Sequence, residues 1–372
     1  MRIIKQRVEK MMKVKVSKLK LGYLITEDVK GLTATPIVPK NTTVTKEIKQ
    51  VLEAFLVDEV YAEPLTSKIQ EVKEEEKKTK EQASKHKEST KTTKNIFQET
   101  YLQVVKQYKK EFINWQSGLP IDINNIRNSF LPLFTLLEKE PTQILQLQNY
   151  FSETDMIYHH AVSMGLISGY IGRLTKQKSG DAIQIAIGGC LCDAGLAKEN
   201  PVLLKQALMN GNMKLLNKHP AESYKMVQNV LAIQPEIKVS VFQHHEMLDG
   251  SGYPLGLKSN KIHKFAKIFL VSDLYHNLIT NPNNPLTPFD ALEILRKDYF
   301  GKIDIEILDA LTDAFRQLAI NMHVRLSDHR TGRIVYIDTK NPTKPVIQVD
   351  QSEEIISLSN ESDISIIEII HQ

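Results

Sequence analysis

The 372 residues are 41% hydrophobic and 25% charged, an ordinary balance for soluble globular protein, and the chain is long enough to require a principal domain with smaller attachments. A formal net charge of +4 is too small for this length to imply a nucleic-acid partner, so no DNA binding is expected. The only two cysteines, Cys190 and Cys192, diverge on what reads as a helix, which argues against a bridge between them and for a reducing, cytoplasmic setting.

In chain order, the opening MRIIKQRVEKMMKVKV lacks the continuous apolar core and small-residue cleavage site of a signal peptide. KVKVSKLKLGYLITEDV, residues 13 to 29, alternates apolar and polar side chains, a helix is expected over Thr45 to Phe55, and VDEVYAE follows as a further extended segment. Residues 1–65 thus read as a small β-rich domain. From Thr66 to Asn95 almost every residue is Lys, Glu, Ser, Thr or Gln, which reads as a solvated linker without assigned function. Helical patterning resumes at Ile96, passes Trp115 and breaks at Gly118 and Pro120, so residues 96–149 read as a helical connector.

Residues 150–320 read as consecutive helices. His160, Met164, Ile167, Ile171 and Leu174 recur at steps of four and three, which puts His160 on an apolar stripe. Ile183, Ile187, Cys190 and Ala194 form the next inward face, where Gly188 and Gly189 most simply allow close helix contact. The stretch Phe265 to Val271 is broken by lysine and too short to span a bilayer, so no membrane insertion is expected. Thr287, Pro288 and Asp290 make a good helix start. Beyond Asn321 the pattern alternates again, with a hairpin turn expected at Thr331 and Gly332, so residues 321–372 read as a β-rich tail. The fold class expected is mainly α, a helical bundle with small β-rich attachments at both ends.

A lone histidine is more often a hydrogen-bonded core residue than a ligand. Here the chain offers His160, Asp193, His219, His244, His245 and Asp273, several within apolar runs where an unpaired polar group is costly unless it binds something. Imidazole and carboxylate together suit a divalent metal, and a carboxylate can bridge two ions.

The order and spacing of these residues resemble the HD-GYP family, the branch of the HD metal-dependent phosphohydrolases that hydrolyses cyclic di-GMP. HHEMLDGSGYP (residues 244–254) matches its signature, HHAVSMGLISGYIGRL resembles its first ligand helix and NKHP its middle histidine motif, over roughly Tyr150 to Asn321. The resemblance implies an HD-type bundle, cyclic di-GMP as substrate, and one or two divalent ions, iron, manganese or zinc. His160, Asp193 and Asp273 would hold one ion with position 192, and Asp193 would bridge to a second on His219, His244 and His245. Asp193, His244 and His245 would carry catalysis, while Asp249, Gly250, Gly252, Tyr253 and Pro254 would lie against the substrate. Protein partners of the N-terminal domain and a homodimer are left open.

The chain departs from the family pattern at several points. Cys192 stands where the family has histidine, Leu196 replaces a lysine, no arginine occurs between Asp273 and Pro288, and Met156 occupies the place of an extra glutamate ligand. Reduced activity is therefore expected. The alternatives are an inactive module that binds nucleotide or a protein partner in cyclic di-GMP signalling, and a helical scaffold whose histidines stay empty.

Overall fold

Short extended segments broken by turns open the chain, and helices joined by brief connections follow. The computed structural model describes residues 13–30, 36–40, 42–54, 57–64, 93–209, 216–352, 354–361 and 363–370. They belong to two compact units, residues 1–90 and 91–372. The expected charged linker lies, up to residue 92, outside the described residues.

In the first unit the alternation over residues 13–29 becomes three short strands, β1 (Lys13–Lys15), β2 (Tyr23–Ile25) and β3 (Val29–Lys30), rather than one. A 3-10 turn at Val16–Lys18 and Gly22, at φ +86°, interrupt it. β4 (Pro36–Val38) pairs with β3, and β5 (Glu59–Pro64) lies between β1 and β2 in an antiparallel sheet. Between β4 and β5, α1 (Lys46–Ala54) is capped by Thr45, whose Oγ1 accepts from the Ile48 amide at 3.3 Å. Val16, Ile25, Val38, Leu52 and Val60 close a small core of their own.

The second unit begins with α2 (Thr93–Gln116) and α3 (Ile123–Lys139), the latter capped by Asp122, followed by a 3-10 stretch at Pro141–Tyr150. Then come α4 (Met156–Leu174), α5 (Ser179–Leu191), α6 (Pro201–Met209), α7 (His219–Val227), α8 (Pro235–Phe242), α9 (Lys264–Ile279), α10 (Pro288–Asp298) and α11 (Ile305–Ala319). Five antiparallel strands close it: β6 (His323–Leu326), β7 (Thr331–Tyr336), β8 (Val346–Val349), β9 (Ile355–Ser357) and β10 (Ile366–Ile370), in the order β10-β6-β7-β8-β9. One continuous apolar core runs from Phe97 on α2, through the fully buried Trp115, to Ile369 on β10. α2, α3 and the terminal sheet thus share their burial with the helices between them.

Glycines set the geometry that matters most. A β-carbon at Gly189 would lie 2.8 Å from the Met164 carbonyl oxygen, and one at Gly169 would lie 2.6 Å from Ala186 Cβ, so α4 and α5 approach as only small residues allow. Gly165 faces Cys190, Gly169 faces Ala186 and Gly172 faces Ala182, so the helices run antiparallel. The first turns of α4, with His160, therefore meet the end of α5, just before Asp193. Thr287 caps α10 as the sequence predicts: the Asp290 amide donates to its Oγ1 at 3.2 Å, and that hydroxyl donates to Asp290 Oδ2 at 2.7 Å.

One turn falls elsewhere than expected. The β6–β7 hairpin reverses over Ser327–Arg330, not at Thr331 and Gly332, which already pair with Arg325 and Val324. Asp328 accepts from the Arg330 amide at 3.1 Å and His329 takes a φ of +71°, so a side-chain cap and a strained histidine do the work a glycine was expected to do. No helix among the described residues is long and apolar enough to cross a membrane.

Candidate metal centre

All six imidazole and carboxylate groups meet in one place. Asp193 Oδ1 lies 3.0 Å from His219 Nε2 and 3.5 Å from His244 Nε2, while its Oδ2 lies 3.3 Å from His160 Nε2. His219 Nε2 is in turn 3.1 Å from both His244 Nε2 and His245 Nε2, and the ligand atoms of Asp193, His219, His244 and His245 all fall within 4.8 Å of one another. On the other side, His160 Nε2 lies 3.1 Å from Asp273 Oδ1, and His245 Nδ1 is 3.6 Å from Asp273 Oδ2. Two donor groups thus share Asp193, one oxygen facing each.

The elements make this convergence inevitable once they pack. His219 is the first residue of α7, and a β-carbon at Gly195 would collide with the His219 carbonyl oxygen and the Ser223 amide. The bare Gly195, whose amide donates to Ser223 Oγ at 2.8 Å, lets the turn after Asp193 settle on α7. His244 and His245 sit in the turn after α8, and Asp273 is on α9. His159, beside His160 in sequence, points elsewhere and contacts the Tyr101 hydroxyl at 3.2 Å.

The donor set fits divalent cations. His219 Nδ1 contacts the Leu216 carbonyl at 2.5 Å and His244 Nδ1 the Val241 carbonyl at 2.7 Å. A carbonyl only accepts, so both Nδ1 atoms carry a proton and both Nε2 atoms are turned toward Asp193 and each other. A cation between these two Nε2 atoms, 3.1 Å apart, would be within reach of both. Burial pushes the Asp193 carboxyl up, but hydrogen bonds from His219 and His244 and the nearby imidazole charges outweigh it and hold it well below the usual carboxylate range. Burial and the neighbouring His244 and His219 hold His245 well below the ordinary imidazole value. For His160, burial pulls down while the hydrogen bond to Asp273 and the charges of Asp193 and Asp273 win and raise it.

The signature loop is folded onto these ligands. A β-carbon at Gly252 would collide with the His245 carbonyl and the Met247 amide, and the Tyr253 amide donates to that same carbonyl at 3.1 Å. The Tyr253 ring consequently stacks on His245, with centroids 4.6 Å apart and planes at 23°. Asp249 is turned into the loop, where its Oδ1 accepts from the Ser251 amide at 2.9 Å and from the Ser251 hydroxyl at 2.6 Å; Gly250 takes φ +86°. Sequence reasoning left Glu246 without a role. It is buried, and its two oxygens accept from the Leu255 and Leu257 amides, each at 2.7 Å, which clamps the far end of the loop. His276 and Asn277 were also missed: His276 Nδ1 meets His160 Nδ1 at 2.9 Å, and Asn277 Nδ2 donates to Asp273 Oδ1 at 2.9 Å. Their spacing of three and four residues from Asp273 on one helix was the available signal.

The departures are also visible. Cys192 is 1% exposed and stands outside the group of close ligand atoms, and burial, with Asp193 and Asp273 nearby, pushes its thiol well up. A cavity of about 230 Å3 opens over the ligands, with walls including Phe151, Met156, Leu196, Leu216 and Pro282; none of Asp249, Gly250, Gly252, Tyr253 and Pro254 lines it, and among the described residues neither does any lysine or arginine.

Residues 141–307 match the model of the HD domain family. The chain is 24% identical over 215 residues to a cyclic di-GMP phosphodiesterase of Pseudomonas aeruginosa, covering 57% of this chain and 52% of that protein. It is 27% identical over 163 residues to the cyclic di-GMP phosphodiesterase PdeB of Borreliella burgdorferi, covering 43% of each. The chain thus spans about half the length of these curated relatives. Among solved structures, an HDG"Y"P protein from Bdellovibrio bacteriovorus aligns with a TM-score of 0.48 at 18% identity, over 82% of this chain and 99% of that one.

Proposed function

From the premise that residues 141–307 form an HD domain, we propose that the chain is a metal-dependent phosphodiesterase of the HD-GYP type that opens cyclic di-GMP to linear pGpG and onward to GMP, with reduced activity. The observation that carries this reading is the sharing of Asp193 between two donor groups, His160 with Asp273 and His219 with His244 and His245. These six residues would hold the divalent ions, iron, manganese or zinc. When bound, such ions lower the pKa of an attacking water and offset the charge of a phosphodiester. The chain's own part is to hold six donors at fixed positions, to orient two of the imidazoles through Nδ1–H bonds to backbone carbonyls so that Nε2 faces the metal, and to wall the site with apolar side chains that exclude competing water. Tyr253 orients His245 by stacking on its ring.

Manganese-loaded protein incubated with cyclic di-GMP tests the reading directly. Linear pGpG is expected to accumulate, and Asp193→Asn to lower the rate by more than about 100-fold, the upper end of what losing a mere orienting partner costs. A fully metallated sample that leaves cyclic di-GMP intact would overturn it. A second reading, a module that binds nucleotide without turning it over, is favoured by one observation: among the described residues no lysine or arginine lines the cavity to balance phosphate charge. Tight calorimetric binding without product would support that alternative.

A further inference from the structure

A cyclic dinucleotide is too large for the cavity over the ligands, whose roughly 230 Å3 lies below the ~300–1,000 Å3 of ordinary small-molecule sites. Part of the ligand must extend outward. Asn281 lines this cavity and two neighbouring ones, so it marks the junction through which the ligand would pass. The two exits differ in charge. One, of about 340 Å3, carries Glu153 and Glu368, the latter paired with Arg325 at 3.0 Å, and among the described residues no lysine or arginine lines it to meet a phosphate. The other, of about 610 Å3, is walled by Met247, Leu278, Leu286 and Tyr299 and carries Lys302, among the described residues the one lysine or arginine lining any of the three.

Resting on the cyclic-dinucleotide reading above, we propose that this groove is the second half of the substrate site: Lys302 contacts the phosphate that is not attacked, and Tyr299 offers its ring to the outer base. The Lys302 Nζ stands 5.9 Å from the Tyr299 ring centroid, and its charge reaches the exposed Asp249 carboxyl of the signature loop, whose pKa the Ser251 hydrogen bonds lower first and Lys302 helps to lower. Its carbonyl accepts from the Leu248 amide at 2.8 Å, which ties the turn bearing it to the signature loop. Tyr299 is within electrostatic reach of the ligand Asp273: burial first, then that carboxylate, pushes its hydroxyl up. The groove also contains Asp298, whose carboxylate suits the N–H donors of a guanine edge. Lys302 therefore supplies the cationic contact that the segment from Asp273 to Pro288 lacks.

The test is calorimetry on the full, manganese-loaded chain with a phosphorothioate cyclic di-GMP that resists hydrolysis, alongside KM and kcat with cyclic di-GMP itself. Lys302→Ala and Lys302→Met are both expected to weaken binding about 10- to 100-fold, the worth of one charged hydrogen bond, with KM rising more than kcat falls and metal content unchanged. Lys302→Arg is expected to restore most of the affinity, and the salt dependence of binding is expected to flatten in the Ala and Met variants. If the parent protein binds the analogue and the Ala and Met variants bind it equally well, the groove proposal falls and the functional reading stands. Equal losses in Ala, Met and Arg variants would assign Lys302 to packing and also overturn it. A metallated parent protein that neither binds nor hydrolyses would overturn the functional reading, and the groove with it.

Discussion

Asp193 is the side chain on which both donor groups depend, since its two oxygens face different imidazoles. Asp193→Asn keeps the shape but replaces one oxygen with an N–H donor that repels a cation, so elemental analysis of the purified variant is expected to show metal lost from both groups. His160→Ala should spare the other group, leaving roughly half the parent's metal. Cys192 and Leu196 are a different matter, because both are buried and apolar in effect. Cys192→His adds volume to a packed site at a cost of about 1–3 kcal/mol, so a lower melting temperature is expected together with higher metal content. Combined with Leu196→Lys, which sets a cation in the cavity wall, hydrolysis is expected to rise by about tenfold or more. A double variant with unchanged turnover would show that these positions do not limit the site.

At the scale of elements, the loop after His245 is held by groups that contribute no ligand. Glu246 takes two backbone amides at its carboxylate. Glu246→Gln leaves one neutral acceptor for one amide and turns an NH2 donor toward the other, losing hydrogen bonds worth about 1.5–3 kcal/mol each when charged, so amide exchange at Leu255 and Leu257 is expected to accelerate while α4 and α5 stay protected. Gly252→Ala meets backbone on two sides and has no room to relax, so it should displace Tyr253 from His245 and lower activity while the rest of the helical unit keeps its exchange protection. The helices themselves were legible from periodicity and caps: the stripe containing His160 and the Thr287 cap both appear where the pattern puts them. The β6–β7 turn was not, because Asp328 and His329 make it through a side-chain hydrogen bond and an uncommon backbone angle, neither of which composition announces.

For the whole molecule, two compact units with separate cores predict two thermal transitions, only one of which responds to metal. Chelation is expected to lower the transition of residues 91–372, by an amount equivalent to about 2.7 kcal/mol if free metal had stood at a hundred times its dissociation constant. A calorimetric scan in which both transitions shift equally would argue against metal residing in the helical unit alone. The chain itself already determined which residue types could ligate, that they belong to helices and one glycine-rich loop, and that the motif near residue 192 departs from the pattern it resembles, because ligand chemistry and helical periodicity are properties of residues and short spans. Only the tertiary structure decided that Gly195 seats Asp193 on α7, that Glu246 clamps the loop, that Leu196 faces the cavity and that Asn281 joins it to the Lys302 groove. Those are distances between elements far apart in sequence, set by how the whole core packs, and no local pattern encodes them.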